Sequence, residues 1–106
     1  MRYADELAAL VKRNHWQLER KFNRGYCGFK AGFFNAFGLS WWGSKTFGVF
    51  AKISAAESKR LRPRPLDYSA RWKEASYPIE IGKTKMKDFQ RIFEFAYHKV
   101  AGSADK

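Results

Sequence analysis

Residues 59–73 carry the side chains best suited to chemistry with phosphate. Lys59, Arg60, Arg62 and Arg64 put four cations in six residues, and Arg71 and Lys73 follow. A guanidinium grips a phosphate through two parallel hydrogen bonds, while an ammonium acts as a point charge. Tyr68 and Trp72 stand among these cations. Exposed rings stack on unpaired bases, worth ~1–3 kcal/mol per base. Cations interleaved with rings therefore point towards nucleic acid. The competing reading makes the cations a solvated helix end and the two rings packing groups.

The second chemical cluster is Phe33 to Ile53, FFNAFGLSWWGSKTFGVFAKI. It contains five Phe, two Trp, Lys45 and Lys52, and no acidic residue. Apolar residues fill both faces of any two strands formed here. One face can pack on helices; the other must be covered or must bind something, because large exposed apolar patches mark interaction sites.

Other reactive types do not assemble by spacing. His15 and His98 fall on separate helical stretches with no cysteine–acid grouping beside them. Cys27 lies in a glycine-interrupted stretch and reads as a small buried apolar residue. Glu57, Asp67, Glu74 and Glu80 join in no spacing typical of a metal site, and caps, turns and solvated strand positions account for them. Convergence of Glu57, Asp67 and Glu80 in one cleft is what an enzyme would require. Gly25, Gly28 and Gly32 follow a helix and lack the Gly-Lys-Ser/Thr ending of a phosphate loop. The expectation is no catalytic residue, no metal and no cofactor.

Composition sets the frame. The 106 residues suffice for one domain with a modest core, 1–106, whether whole or cut from a longer protein. A net charge of +11 attracts phosphate polymers. The balance is +3 over residues 1–24, +3 over 25–53, +4 over 54–73 and +1 over 74–106. The single cysteine excludes an internal disulfide and fits a reducing compartment. No apolar run is long enough to span a membrane and the N-terminus is not a signal peptide, so the expected location is the cytoplasm, without membrane contact.

The elements that must position these groups can be read from periodicity. Leu7, Leu10, Val11, Asn14, Leu18 and Phe22 recur at helical spacing and predict a helix over 4–22, ended near Gly25. Residues 25–32 read as a short irregular strand or bulge. Residues 33–42 and 45–53 predict two antiparallel strands joined by Gly43-Ser44 in a two-residue turn. That register pairs Trp42 with Lys45, Leu39 with Gly48 and Phe37 with Phe50. It puts Phe37, Leu39, Trp41 and Phe50 on one face and Phe34, Val49 and Ile53 on the other. A slip of one residue would exchange these partners.

Ser54-Ala55-Ala56-Glu57 matches a capping box and predicts a short helix to about Leu61, stopped by Pro63 and Pro65. Residues 66–70 read as a turn or short helical piece. Arg71 to Ile81 predicts one or two strands, with Pro78 favouring an edge. A last helix follows Gly82 and Thr84, with Met86, Phe89, Phe93, Ala96 and Val100 as its apolar stripe. The fold class is α+β, an antiparallel sheet of about 3–5 strands flanked by N- and C-terminal helices. The expected core is Leu7, Val11, Leu18, Phe34, Val49, Ile53, Ile79, Phe89, Phe93 and Ala96.

Three segments together resemble the small bacterial YjbR-like proteins: Thr46-Phe47-Gly48-Val49-Phe50-Ala51-Lys52-Ile53, Tyr68-Ser69-Ala70-Arg71-Trp72 before a strand, and Ala96-Tyr97-His98-Lys99-Val100 closing the final helix. The similarity covers roughly residues 33–100. The glycine-rich stretch at 25–32 and the Pro63–Pro65 break depart from that pattern. The resemblance implies an antiparallel sheet flanked by helices, described as a double-wing DNA-binding arrangement, and no catalytic residues. It adds weight to DNA contact at Lys52 and Arg71, with Trp72 as a structural neighbour.

The functional expectation is a non-enzymatic nucleic-acid or other polyanion-binding module. Lys59, Arg60, Arg62, Arg64, Arg71 and Lys73 meet phosphates, Lys45 and Lys52 extend the surface, and Phe37, Trp41, Phe50, Tyr68 and Trp72 are candidate aromatic contacts. The alternative is a protein-interaction or homodimerising module that uses the face formed by Phe37, Leu39, Trp41 and Phe50.

Overall fold

Helical spacing at the N-terminus is realised over a shorter span than the sequence predicts. The computed structural model describes residues 2–32, 34–42, 46–62, 64–80 and 83–104, with backbone alone for residues 2, 41, 42, 46, 47 and 102–104. Helix α1 is Arg2–Arg13 and buries Tyr3, Ala4, Leu7, Leu10 and Val11 along one side. His15 then adopts φ 58°, in the left-handed region, and the helix cannot continue. Trp16 turns inward, stacked on Tyr97 at 5.8 Å and edge-on to Phe37 at 5.7 Å.

The residues expected to continue that helix form strand β1, Glu19–Asn23, paired antiparallel with β2, Tyr26–Ala31. Leu18 and Phe22 fit a helical stripe, but a strand here completes a ladder with the next segment. β2 is the irregular strand expected at 25–32, and its register with the following strand shifts between Phe29 and Lys30. Then come β3, Phe34–Trp42, and β4, Thr46–Lys52.

Helix α2, Ala55–Arg60, carries the expected capping box. The Glu57 N–H donates to Ser54 Oγ at 3.1 Å, and the Ser54 N–H donates to the Glu57 carboxylate at 2.7 Å. Strands β5, Asp67–Ser69, and β6, Glu74–Pro78, form the next hairpin. A 3₁₀ turn, Met86–Phe89, leads into α3, Gln90–Ala104.

The strands make one antiparallel sheet in the order β1-β2-β3-β4-β6-β5. The sheet has six strands, more than the sequence predicts, because β1 and β5 form where its local pattern favours a helix and a turn. Past β4, the chain runs through α2 to the outer edge before β6 returns between β5 and β4. β5 pairs with β6 only as far as Ser76, so Pro78 sits beyond its reach and pairs with Gly48 alone. A proline is tolerated there because its missing N–H faces no strand.

The β3–β4 register is one residue away from the expected one. Leu39 pairs with Val49, Phe37 with Ala51 and Trp42 with Thr46. Three residues therefore connect the strands rather than two; they lie outside the described residues. Because side chains alternate across a strand, the slip exchanges every partner on β4. Phe37, Leu39, Val49 and Ala51 now share one face, and all are buried. Helix α3 covers that face, with Phe93 only 4.4 Å from Phe37 between ring centroids.

The core is otherwise largely as expected. Leu7, Val11, Val49, Ile53, Phe89, Phe93 and Ala96 are buried, while Leu18 and Ile79 lie at its margin. Phe34 is the exception: it is 64% exposed at the start of β3, where it lines a recess with Lys99 and Val100 of α3.

Candidate nucleic-acid interface

The opposite face of the sheet has no helix across it among the described residues. Its floor comes from a cross-strand glycine pair, Gly28 on β2 opposite Gly38 on β3. With no side chains at either position, the neighbours lean over the backbone. The Phe50 ring lies on Gly38, where a Cβ atom would come within 2.6 Å of it and 2.3 Å of the Cys27 carbonyl oxygen. The Asn35 amide lies on Gly28 in the same way. Asn35 Oδ1 is buried there without a hydrogen-bond partner among the described residues.

These residues form a shallow groove of about 650 Å³ that crosses the strands diagonally. Arg24 and Tyr26 lie at one end, with the Tyr26 ring edge-on to Phe50 at 6.1 Å. Lys52, Trp72 and Glu74 lie at the other, with Ser40 and Ser76 between. A second recess of about 420 Å³ shares Asn35, Lys52 and Trp72 and carries the depression round the end of the sheet to Lys73 and Lys99.

Trp72 is the outstanding side chain of this surface, being 59% exposed. It sits in the β5–β6 turn, where its N–H donates to Ser69 Oγ and Lys73 adopts φ 50°. The Arg71 guanidinium lies 5.1 Å from the Trp72 ring centroid and the Lys52 ammonium 6.0 Å. Both are within cation–π range. Lys52 also donates to the Trp72 carbonyl at 3.1 Å and pairs with Glu74 at 3.3 Å. Lys52 thus holds the turn in place, and its charge is partly compensated.

The residues expected from sequence separate into four groups. Phe50, Lys52, Arg71, Trp72 and Lys73 gather at or beside the groove. Lys59, Arg60, Arg62 and Arg64 do not line it. Arg60 instead rests 5.6 Å over the ring of Phe95 on α3, and Arg62 turns back towards the Lys59 carbonyl. This basic run belongs to the helical side. Lys45 and the Trp41 side chain lie outside the described residues.

Three expected aromatic contacts are buried or half-buried: Phe50, although on the groove side of the sheet, is only 7% exposed, and Phe37 and Tyr68 lie on the covered side. Phe37 is buried under α3, and Leu39 beside it, so the apolar face proposed for a protein partner is not a face of the folded chain. Tyr68 is half-buried against the core with its hydroxyl donating to the Ile53 carbonyl at 3.0 Å. Conversely, Arg24, Tyr26, Asn35, Ser40 and Ser76 were not singled out from the sequence. The only sequence signal for them is glycine at 28 and 38, whose meaning depends on their being paired.

The acids disperse. Glu57 faces α3, where Lys99 contacts it at 3.0 Å. Burial pushes the Glu57 carboxyl up, but the Ser54 N–H and Lys99 outweigh that and hold its pKa below the ordinary value. Asp67 accepts from the Tyr68 N–H at the β5 edge, and the Glu80 N–H donates to Thr84. Among the described residues, no three His, Cys, Asp or Glu side chains gather as a metal group would. Cys27 and Tyr77 lie on the helix-covered face, where burial raises the thiol and pushes the phenol up to about 12. No described helix is long and apolar enough to cross a membrane.

No protein-family model matches the chain, and no curated protein or solved structure matches it either. The resemblance to YjbR-like proteins therefore rests on the motifs quoted above.

Proposed function

We propose that the chain is a non-enzymatic nucleic-acid-binding module and that it binds through the uncovered face of the sheet. The observation that carries this reading is the exposed Trp72, set beside Arg71 at the end of a groove that has Arg24 at its other end. An aromatic platform between cations matches the two repeating features of a nucleic-acid strand, flat bases and anionic phosphates. The net charge of +11 supplies long-range attraction. The double-wing resemblance points the same way, and Arg71 is common to both arguments.

The test is fluorescence anisotropy with labelled oligonucleotides across a salt series. With one phosphate each on Arg24, Arg71 and Lys73, affinity for a single strand falls roughly 20-fold from ~50 to ~200 mM salt. Replacing those three by Ala removes most of the binding. Replacing Lys59, Arg60, Arg62 and Arg64 removes less, because those four sit away from the groove. Salt-independent binding, or a larger loss from the second set, rules out this surface.

A further inference from the structure

Resting on the nucleic-acid reading above, we infer that the groove takes unpaired nucleotides and excludes duplex. Its floor is backbone, bare at Gly28 and Gly38 except for the Phe50 ring and the Asn35 amide. Ser40, Ser76 and Glu74 line this trough with polar side chains. Such groups can engage the Watson–Crick edge of a base only when that edge is not already paired, and the groove edges of a duplex lie recessed between its two backbones. Trp72 offers a π face at the rim, and the bases of a duplex stack on one another and leave no face for it.

The charge pattern fits a strand laid along the groove. Arg24 marks one end; Arg71 and Lys73 mark the other. Phosphates meet these cations at the rim while bases enter the trough. A duplex touching the same cations would be held off the floor by its own backbone, leaving Ser40, Ser76 and Asn35 without contact. Cations alone would accept either form, so discrimination must come from Trp72 and the trough.

The experiment compares labelled single strands, deoxyribo and ribo, with a duplex of the same sequence at one low salt concentration. The chain should bind a single strand of one or both sugars at least tenfold more tightly than the duplex. Trp72→Ala should weaken single-strand binding roughly tenfold or more, while Trp72→Phe retains most of it. Ser76→Leu fills the trough without touching a charge and should also abolish the preference. Circular dichroism confirms that each variant is folded. Equal affinity for duplex, or single-strand binding unchanged in folded Trp72→Ala and Ser76→Leu, overturns this inference but leaves salt-sensitive binding intact. No binding to any oligonucleotide at low salt overturns this inference and the reading beneath it.

Discussion

The two faces of one sheet are built from neighbouring residues with opposite fates. On β3, Phe37 and Leu39 are fully buried beneath α3, while Gly38 and Ser40, one residue along, face the groove. On β4, Val49 and Ala51 belong to the core, whereas Phe50 and Lys52 belong to the other side. The covered face is filled by rings packed on rings: Phe37 on Phe93, Phe29 on Phe37, Phe89 on Tyr77. The open face puts glycines where the covered face puts phenylalanines. Aromatic residues alone therefore do not mark a binding surface. What sets the open face apart is an exposed ring beside cations, above a floor of paired glycines.

The sharpest way to break this contrast is to remove one ring from each face. Phe37→Ala leaves a cavity among Phe29, Phe93 and Trp16 and should cost ~3–5 kcal/mol in urea unfolding. Trp72→Ala should change stability by about 0.5 kcal/mol or less, since the ring is mostly in solvent. A similar loss of stability from both would show that the turn is part of the core.

Gly38→Ala probes the floor. Its new methyl group would meet the Cys27 carbonyl and the Phe50 ring, so both must shift, at a cost of ~1–3 kcal/mol. The groove should widen or fill, and oligonucleotide binding should change along with stability. A fully stable, fully active variant would mean that Phe50 does not rest on this glycine.

Glu57 tests how α2 is held on the helical side. Because its pKa is lower folded than unfolded, the unfolded chain binds more protons as pH falls. The stabilisation is complete above the ordinary glutamate value of ~4.3 and is lost as pH drops through the lower folded value. Glu57→Gln should flatten that acid limb and cost ~0.2–1 kcal/mol at neutral pH, the usual size for a partly exposed ion pair. An acid limb identical to that of the unmodified chain would remove Lys99 and Ser54 as its cause.

The one change expected to leave stability intact or raise it lies on the covered face. The Tyr77 hydroxyl is buried with no hydrogen-bond partner among the described residues. Tyr77→Phe should leave stability unchanged or raise it by up to ~1 kcal/mol. An unfolded phenol ionises near pH ~10, but the folded one resists until about 12. Stability therefore declines across that interval in the parent chain, and Tyr77→Phe should reduce the decline. A clear loss of thermal stability in the variant would reveal a partner for that hydroxyl.

Much of this architecture was legible locally. The capping box at Ser54–Glu57 depends on four consecutive residues, and it forms as written. The apolar stripes of α1 and α3 repeat within single helices, so each identifies its own buried side. The excess positive charge and the aromatic content needed no structure at all.

Residues 33–53 were different, because they are apolar at odd and even positions alike. Either register satisfies such a pattern locally, and the one that forms gathers Phe37, Leu39, Val49 and Ala51 beneath α3. Likewise, Leu18 and Phe22 fit a helical stripe, and only pairing with β2 makes the segment a strand. By itself, then, the sequence determined an α+β chain, its caps, its helical stripes and its charge. The tertiary structure alone decided which aromatics are buried, which glycines face each other and which cations share a surface, since each is set by contacts between residues distant in the chain.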